Sequence, residues 1–214
     1  MTQGLFATLI IGTMIQQIGL LIGSSTGNVI YLLGKAAAAL TSAGIGVGVA
    51  VKYGESPLVT VSAAVAAMVG GYAGKITGGT FFVDGNAVLA GPGEPLGAFI
   101  AAFAGITCGH LVSGKTKVDI IVTPVITIGA GSVVGLLVGP PISQMMTGLG
   151  SIINWATEQR PFIMGIVVSV VMGMVLTLPI SSAALGIILN LSGLAAGAAT
   201  VSYTHLTLPT KRIV

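Results

Sequence analysis

The sequence predicts an all-α fold: a polytopic helical membrane bundle of about six to seven spans, with a re-entrant hairpin and interfacial helices. Three observations predict it. Only 6% of the 214 residues are charged and 54% are hydrophobic, whereas a soluble domain carries roughly a quarter charged residues. The apolar runs are continuous and rich in Ala, Gly, Leu and Ile, as helices require, where a lipid-facing barrel strand would alternate. A crossing takes about 20 apolar residues, and the polar breaks are short enough to leave room for that many spans.

The first span is expected from about Leu5 to Gly23. Gln16 and Gln17 lie inside it and should face protein, because lipid offers an amide no partner. Asn28 to Val51 is interrupted by Lys35, which suggests a short interfacial helix leading into a second span, with the lysine snorkelling to the headgroups. Lys52 to Pro57 reads as a turn, and Leu58 to Gly74 as a third span stopped by Lys75. Leu96 to Val112 is a fourth. Ser113-Gly-Lys-Thr-Lys117 comes next, the most basic loop of the chain. Val118 to Val138 is a fifth span, expected to close at Pro140 and Pro141. Ile142 to Arg160, with Trp155, Glu158 and Arg160, suits an interfacial helix. Phe162 to Leu178 is a sixth span, and Ile180 to Thr200 begins a seventh.

Several function classes are excluded early. The basic residues are single and scattered, without interleaved aromatics, so no nucleic acid partner is expected. Cys108 is the only cysteine, so neither a disulfide framework nor a metal pair is available, and no metal or cofactor is expected. The N-terminus lacks the basic region and small-residue cleavage site of a secretory signal and reads as the first crossing. If Ile76 to Pro95 returns to the side it left, Lys52, Lys115 and Lys117 share one membrane face and Lys75 the other, which places the N-terminus in the cytoplasm. Small residues four apart, as in Gly70/Gly74, Gly105/Gly109 and Gly131/Gly135/Gly139, predict close helix packing and no chemistry.

From Val201 the chain reads VSYTHLTLPTKRIV, a break from small apolar residues to His, Tyr, Pro and two adjacent basic residues in mid-span. GTC TCT TAT ACA CAT CTG ACG CTG CCG ACG, a frame of the transposon adapter used in sequencing libraries, translates as VSYTHLTLPT. Residues 1–201 are therefore expected to form a partial membrane domain, and residues 202–214 an adapter-derived tail outside the fold. Without Lys211 and Arg212 the formal charge falls from +3 to +1.

Among the remaining ionisable residues, Asp84, Glu94 and His110 fall where a substrate could meet them at membrane depth, and acids at that depth are candidates for function. Ile76 to Pro95, ITGGTFFVDGNAVLAGPGEP, is too short and glycine-rich to span, yet too apolar for a free aqueous loop. It is expected to form a re-entrant hairpin, which implies a cavity. Gly91-Pro-Gly-Glu-Pro95 is a forced turn, with prolines flanking a flexible pair, and it would present Glu94 from a defined backbone. An ionised carboxylate accepts several hydrogen bonds, which suits a polyol, and Asn86 adds an amide that donates and accepts. Helix capping or a lysine partner is the structural alternative for Asp84 and Glu94. His110 could orient a hydroxyl or act as a base, or simply mark the span boundary. Cys108 reads as helix packing. Thr177-Leu-Pro-Ile-Ser-Ser182 is either a second polar wall or a turn.

The blocks GLFATLIIGTMIQQIG, GGTFFVDGNAVLAGPGEPLGAFIA, KTKVDIIVTPVITI and RPFIMGIVVSVVMGMVLTLPISSAALGIILNLSGLAAGAATV together resemble the membrane-embedded IIC subunits of the bacterial phosphoenolpyruvate-dependent sugar phosphotransferase system, in their stand-alone branch. The resemblance covers nearly all of residues 4 to 201. It implies a homodimeric, multi-pass sugar permease of the bacterial plasma (inner) membrane, whose sugar is phosphorylated by a separate IIB subunit charged through IIA and HPr. Better-studied branches carry a Gly-Ile-Thr-Glu-Pro motif whose Glu contacts sugar. Gly91-Pro-Gly-Glu-Pro95 looks like a degenerate counterpart with Pro-Gly in place of Ile-Thr, which would make Glu94 the sugar-binding acid. The substrate-binding set is thus Glu94, Asp84, Asn86 and His110, with no autonomous catalysis. Two other readings stay open: a IIC-like regulatory protein without transport, and an ion-coupled secondary transporter in which Asp84 or Glu94 carries protons or cations.

Overall fold

A computed structural model describes residues 1–83, 85–89, 91–157, 165–167 and 169–170. Asp84, most of the expected sixth span, the whole seventh and the adapter-like tail lie outside the described residues. Two compact units divide the chain, Met1–Ser143 and Gln144–Val214, and the bundle belongs to the first.

Thr2–Leu5 (α1), a π-helical turn at Phe6–Ile10 and Ile11–Ile22 (α2) continue as one helix, Thr2–Ile22. Gly23 stops it by taking up the left-handed conformation (φ 60°), which glycine adopts without steric cost. Ser24 then starts Ser25–Ala39 (α3) by accepting the Gly27 N–H on its Oγ at 3.3 Å. At Leu40 the chain bends by 52° into Thr41–Tyr53 (α4), so the short helix expected before the second span is present and meets it at a sharp break. Gly54 (φ 71°) ends α4. Ser56 caps Pro57–Gly71 (α5), with Pro57 in the first turn, where its missing N–H costs nothing.

Ala73–Thr77 (α6) leads into two two-residue strands, Phe82–Val83 (β1) and Asn86–Ala87 (β2), paired antiparallel with Phe82 opposite Ala87. The chain reversal expected within Ile76 to Pro95 is therefore present. Pro95–Val112 (α7) and Asp119–Thr157 (α8) complete the described helices. Pro140 and Pro141 do not close the last helix as expected; it runs through them and through Pro124. The fixed φ of proline, about −65°, is itself helical, and what is lost is the hydrogen bond to the carbonyl four residues back, a loss that transmembrane helices tolerate. Three described helices are long and apolar enough to cross a membrane, or four if the bent α3–α4 pair is one span.

The core is a seam of small residues. Ala63, Ala66 and Ala67 of α5 and Ala98, Ala101 and Ala102 of α7 have no exposed surface. A Cβ added to Gly70 would lie 2.5 Å from Gly97 O, and one added to Gly46 would lie 2.5 Å from Ala63 O, so these helices meet backbone to backbone. Gln16 faces protein as expected, its amide donating to Gly34 O at 3.2 Å, whereas Gln17 is exposed. Leu5, Leu9 and Ile45 are buried too, but many large apolar side chains point outward, Leu21 at 86% and Ile120 at 73% exposure, as a lipid-facing surface requires.

Candidate functional site

Four elements converge on Gly91-Pro-Gly-Glu-Pro95: the α3–α4 break, the end of α5, the β-hairpin and the start of α7. Gly91 (φ 78°) and Gly93 (φ 72°) are both left-handed, which explains why glycines flank Pro92. Ser42, fully buried in the first turn of α4, donates its hydroxyl to Pro92 O at 3.1 Å. The Tyr72 hydroxyl reaches Gly91 O and also Ala39 O, the latter at 3.1 Å. The Glu94 N–H donates to Gly71 O at 2.7 Å. Gly93 has to be glycine on a second ground, since its Cβ would sit 2.5 Å from Ser42 Oγ.

The turn fixes Glu94 at the N-cap of α7, yet its side chain makes no capping hydrogen bond. One carboxyl oxygen, Oε2, is buried and has no hydrogen-bond partner among the described residues. Capping therefore does not account for this acid. Burial pushes its carboxyl up to about 7, against the opposing pull of the Lys75 ammonium. Around pH 7 it can thus accept hydrogen bonds when ionised or donate one when protonated. Beside it lies an aromatic cluster: Tyr72 and Phe81 have ring centroids 5.4 Å apart, Phe81 and Phe82 meet edge-on at 4.9 Å, and Lys75 Nζ is 5.3 Å from the Tyr72 ring centre.

The other expected site residues are distributed differently. Asn86 is exposed on β2, opposite Val83. Asp84 lies outside the described residues. His110 is in the last turn of α7, 16 residues beyond Glu94 and so about 24 Å along the helix axis. There its Nδ1 pairs with Glu55 Oε1 at 2.9 Å, and next to it the Ser56 and Ser113 hydroxyls are 3.2 Å apart. The structure does not bring His110 to Glu94. These two contacts join the α4–α5 turn to the α7–α8 loop at the end of the bundle that carries Lys52, Lys115 and Lys117.

Ser42, Tyr72 and Phe81 were not legible as site residues. Ser42 sits in a run of small residues that reads as packing, and Phe81 in an apolar pair. The one available signal was Tyr72, a phenol placed directly after Gly70-Gly71 where an apolar span ends. No group of His, Cys, Asp and Glu able to hold a metal occurs among the described residues. Cys108 is a free thiol, half-buried on α7. A separate cleft of about 460 Å³ at the α2–α3 turn is lined by Ser24, Asn28, Tyr31 and Leu20 among others, and no charged side chain lines it.

A family model described as "Phosphotransferase system, EIIC" matches residues 1–208. No curated protein and no solved structure matches the chain.

Proposed function

The chain belongs to the EIIC family of the phosphotransferase system, and from that premise we propose that it carries a sugar across the bacterial plasma membrane for phosphorylation by a separate IIB subunit, itself charged through IIA and HPr. The family makes it a membrane-embedded component of sugar phosphotransferase transport. The finer reading rests on one observation: a buried carboxyl oxygen of Glu94 without a partner among the described residues, held by a docked turn next to an aromatic cluster. Unpaired buried polar groups are costly, and a sugar would satisfy this one with its hydroxyls while its apolar ring face packs on Phe81. Asn86, exposed on β2, would add an amide to the polar wall, and Asp84 stays in the proposed substrate-binding set on sequence grounds alone. His110 is assigned to the opposite end of α7 and to the Glu55 turn. The working unit is a homodimer with its N-terminus in the cytoplasm and the hairpin entering the membrane.

The test is a panel of sugars titrated against the protein in lipid nanodiscs, and then IIB-dependent uptake in cells. Glu94→Gln is expected to weaken binding of the sugar that wild type takes by at least tenfold, while leaving insertion and folding intact. Unchanged binding would remove Glu94 from the site. The raised Glu94 carboxyl also favours a second reading, ion-coupled transport, because a group titrating near pH 7 can carry a proton. Uptake that collapses with an uncoupler but survives loss of HPr would support that reading instead.

A further inference from the structure

Tyr72 is 1% exposed, and its hydroxyl lies between two backbone carbonyls that belong to different parts of the fold. Ala39 O, 3.1 Å away, is at the last residue of α3, beside the 52° break. Gly91 O begins the turn that carries Glu94. A phenol has a single hydroxyl hydrogen, so the two carbonyls must share it or take it in turn. Ser42 makes the second tie to the same turn, through Pro92 O, and the Glu94 N–H to Gly71 O makes the third.

The two side-chain ties differ in their cost when the turn moves away. Released from Gly91, the Tyr72 hydroxyl still has Ala39 O, so no buried donor is left unpaired. Released from Pro92, the Ser42 hydroxyl loses the acceptor it uses, which is the more expensive case.

We propose that Tyr72 is a positioning residue for Glu94: with Ser42 it latches the Gly91–Glu94 turn onto the α3–α4 break. The latch stands on backbone and hydroxyl geometry alone, and only its importance for sugar rests on the Glu94 reading above.

Tyr72→Phe removes the hydroxyl and keeps the ring against Phe81 and under Lys75, and Ser42→Ala removes the other tie. Both are compared with wild type as the full chain in nanodiscs, by amide hydrogen exchange and by infrared titration of the Glu94 carboxyl, identified by its loss in Glu94→Gln. In Tyr72→Phe the Glu94 amide is expected to exchange at least tenfold faster, with α5 and α7 interior amides unchanged. Solvent then reaches the carboxyl, so its titration midpoint falls from near 7 towards the ordinary carboxylate range. Unchanged exchange and an unchanged midpoint in folded Tyr72→Phe overturn the proposal, as does faster exchange spread evenly over the bundle. Should Tyr72→Phe fail to fold, Ser42→Ala decides by the same two readings. Neither measurement uses a sugar, so a latch that holds while Glu94→Gln leaves sugar binding intact would refute the proposed function alone.

Discussion

Glu94 works against the stability of the protein that contains it. Its carboxyl is raised by burial from 4.5 to about 7, so the folded state prefers it protonated. The stability it contributes is complete below about pH 4.5 and is lost as the pH rises through about 7. Thermal unfolding in detergent should therefore show a midpoint that declines across that window, and Glu94→Gln should flatten the decline. Sugar binding is expected to run the other way, because sugar hydroxyls donate to an ionised carboxylate: affinity in wild type should rise as the pH passes through about 7, and the dependence should vanish in Glu94→Gln. Opposed slopes from one residue are the signature of a functional acid held at a cost to folding. Glu94 itself was legible as a charge anomaly in an apolar chain. Its missing cap bond and orphaned oxygen were not, because both depend on where a turn some 50 residues after Ser42 comes to rest.

Among the elements, the helix seam carries the energetics. A Cβ at Gly70 would meet Gly97 O at 2.5 Å and the Ala101 side chain still closer, whereas at Gly129 nothing among the described residues lies within 4 Å. Gly70→Ala should lower the unfolding midpoint strongly, a loss of about 1–3 kcal/mol or more. Gly129→Ala should be neutral or stabilising, since alanine is favoured over glycine in a helix by about 1 kcal/mol. A small-residue spacing cannot separate the two cases, because Gly129 differs only in having no neighbour opposite it among the described residues. His110→Ala tests the other end of α7. It should lower the midpoint by leaving the buried Glu55 side chain, 7% exposed, without its partner, and change sugar affinity less than twofold. If the affinity falls with it, His110 acts on the site despite its distance. The expected stop at Pro140 and Pro141 failed for a physical reason too: two prolines remove hydrogen bonds without forbidding helical φ.

For the whole molecule, the outward-facing Leu and Ile side chains, the small-residue interior and the family place this chain in the membrane as a phosphotransferase component. Composition and the lengths of the apolar runs determined the membrane placement without any structure, because hydropathy sets the solvent of each segment one residue at a time; the phosphotransferase reading came from the family resemblance. Glycines and prolines likewise located the hairpin and singled out its acid. Only the tertiary structure decided that Ser42 and Tyr72 hold the hairpin, that His110 stands a helix length from Glu94, and that α3 and α4 break where the turn docks. Those facts depend on which backbones approach closely enough for one hydroxyl to reach another helix's carbonyl, and neighbours in sequence carry no record of that distance.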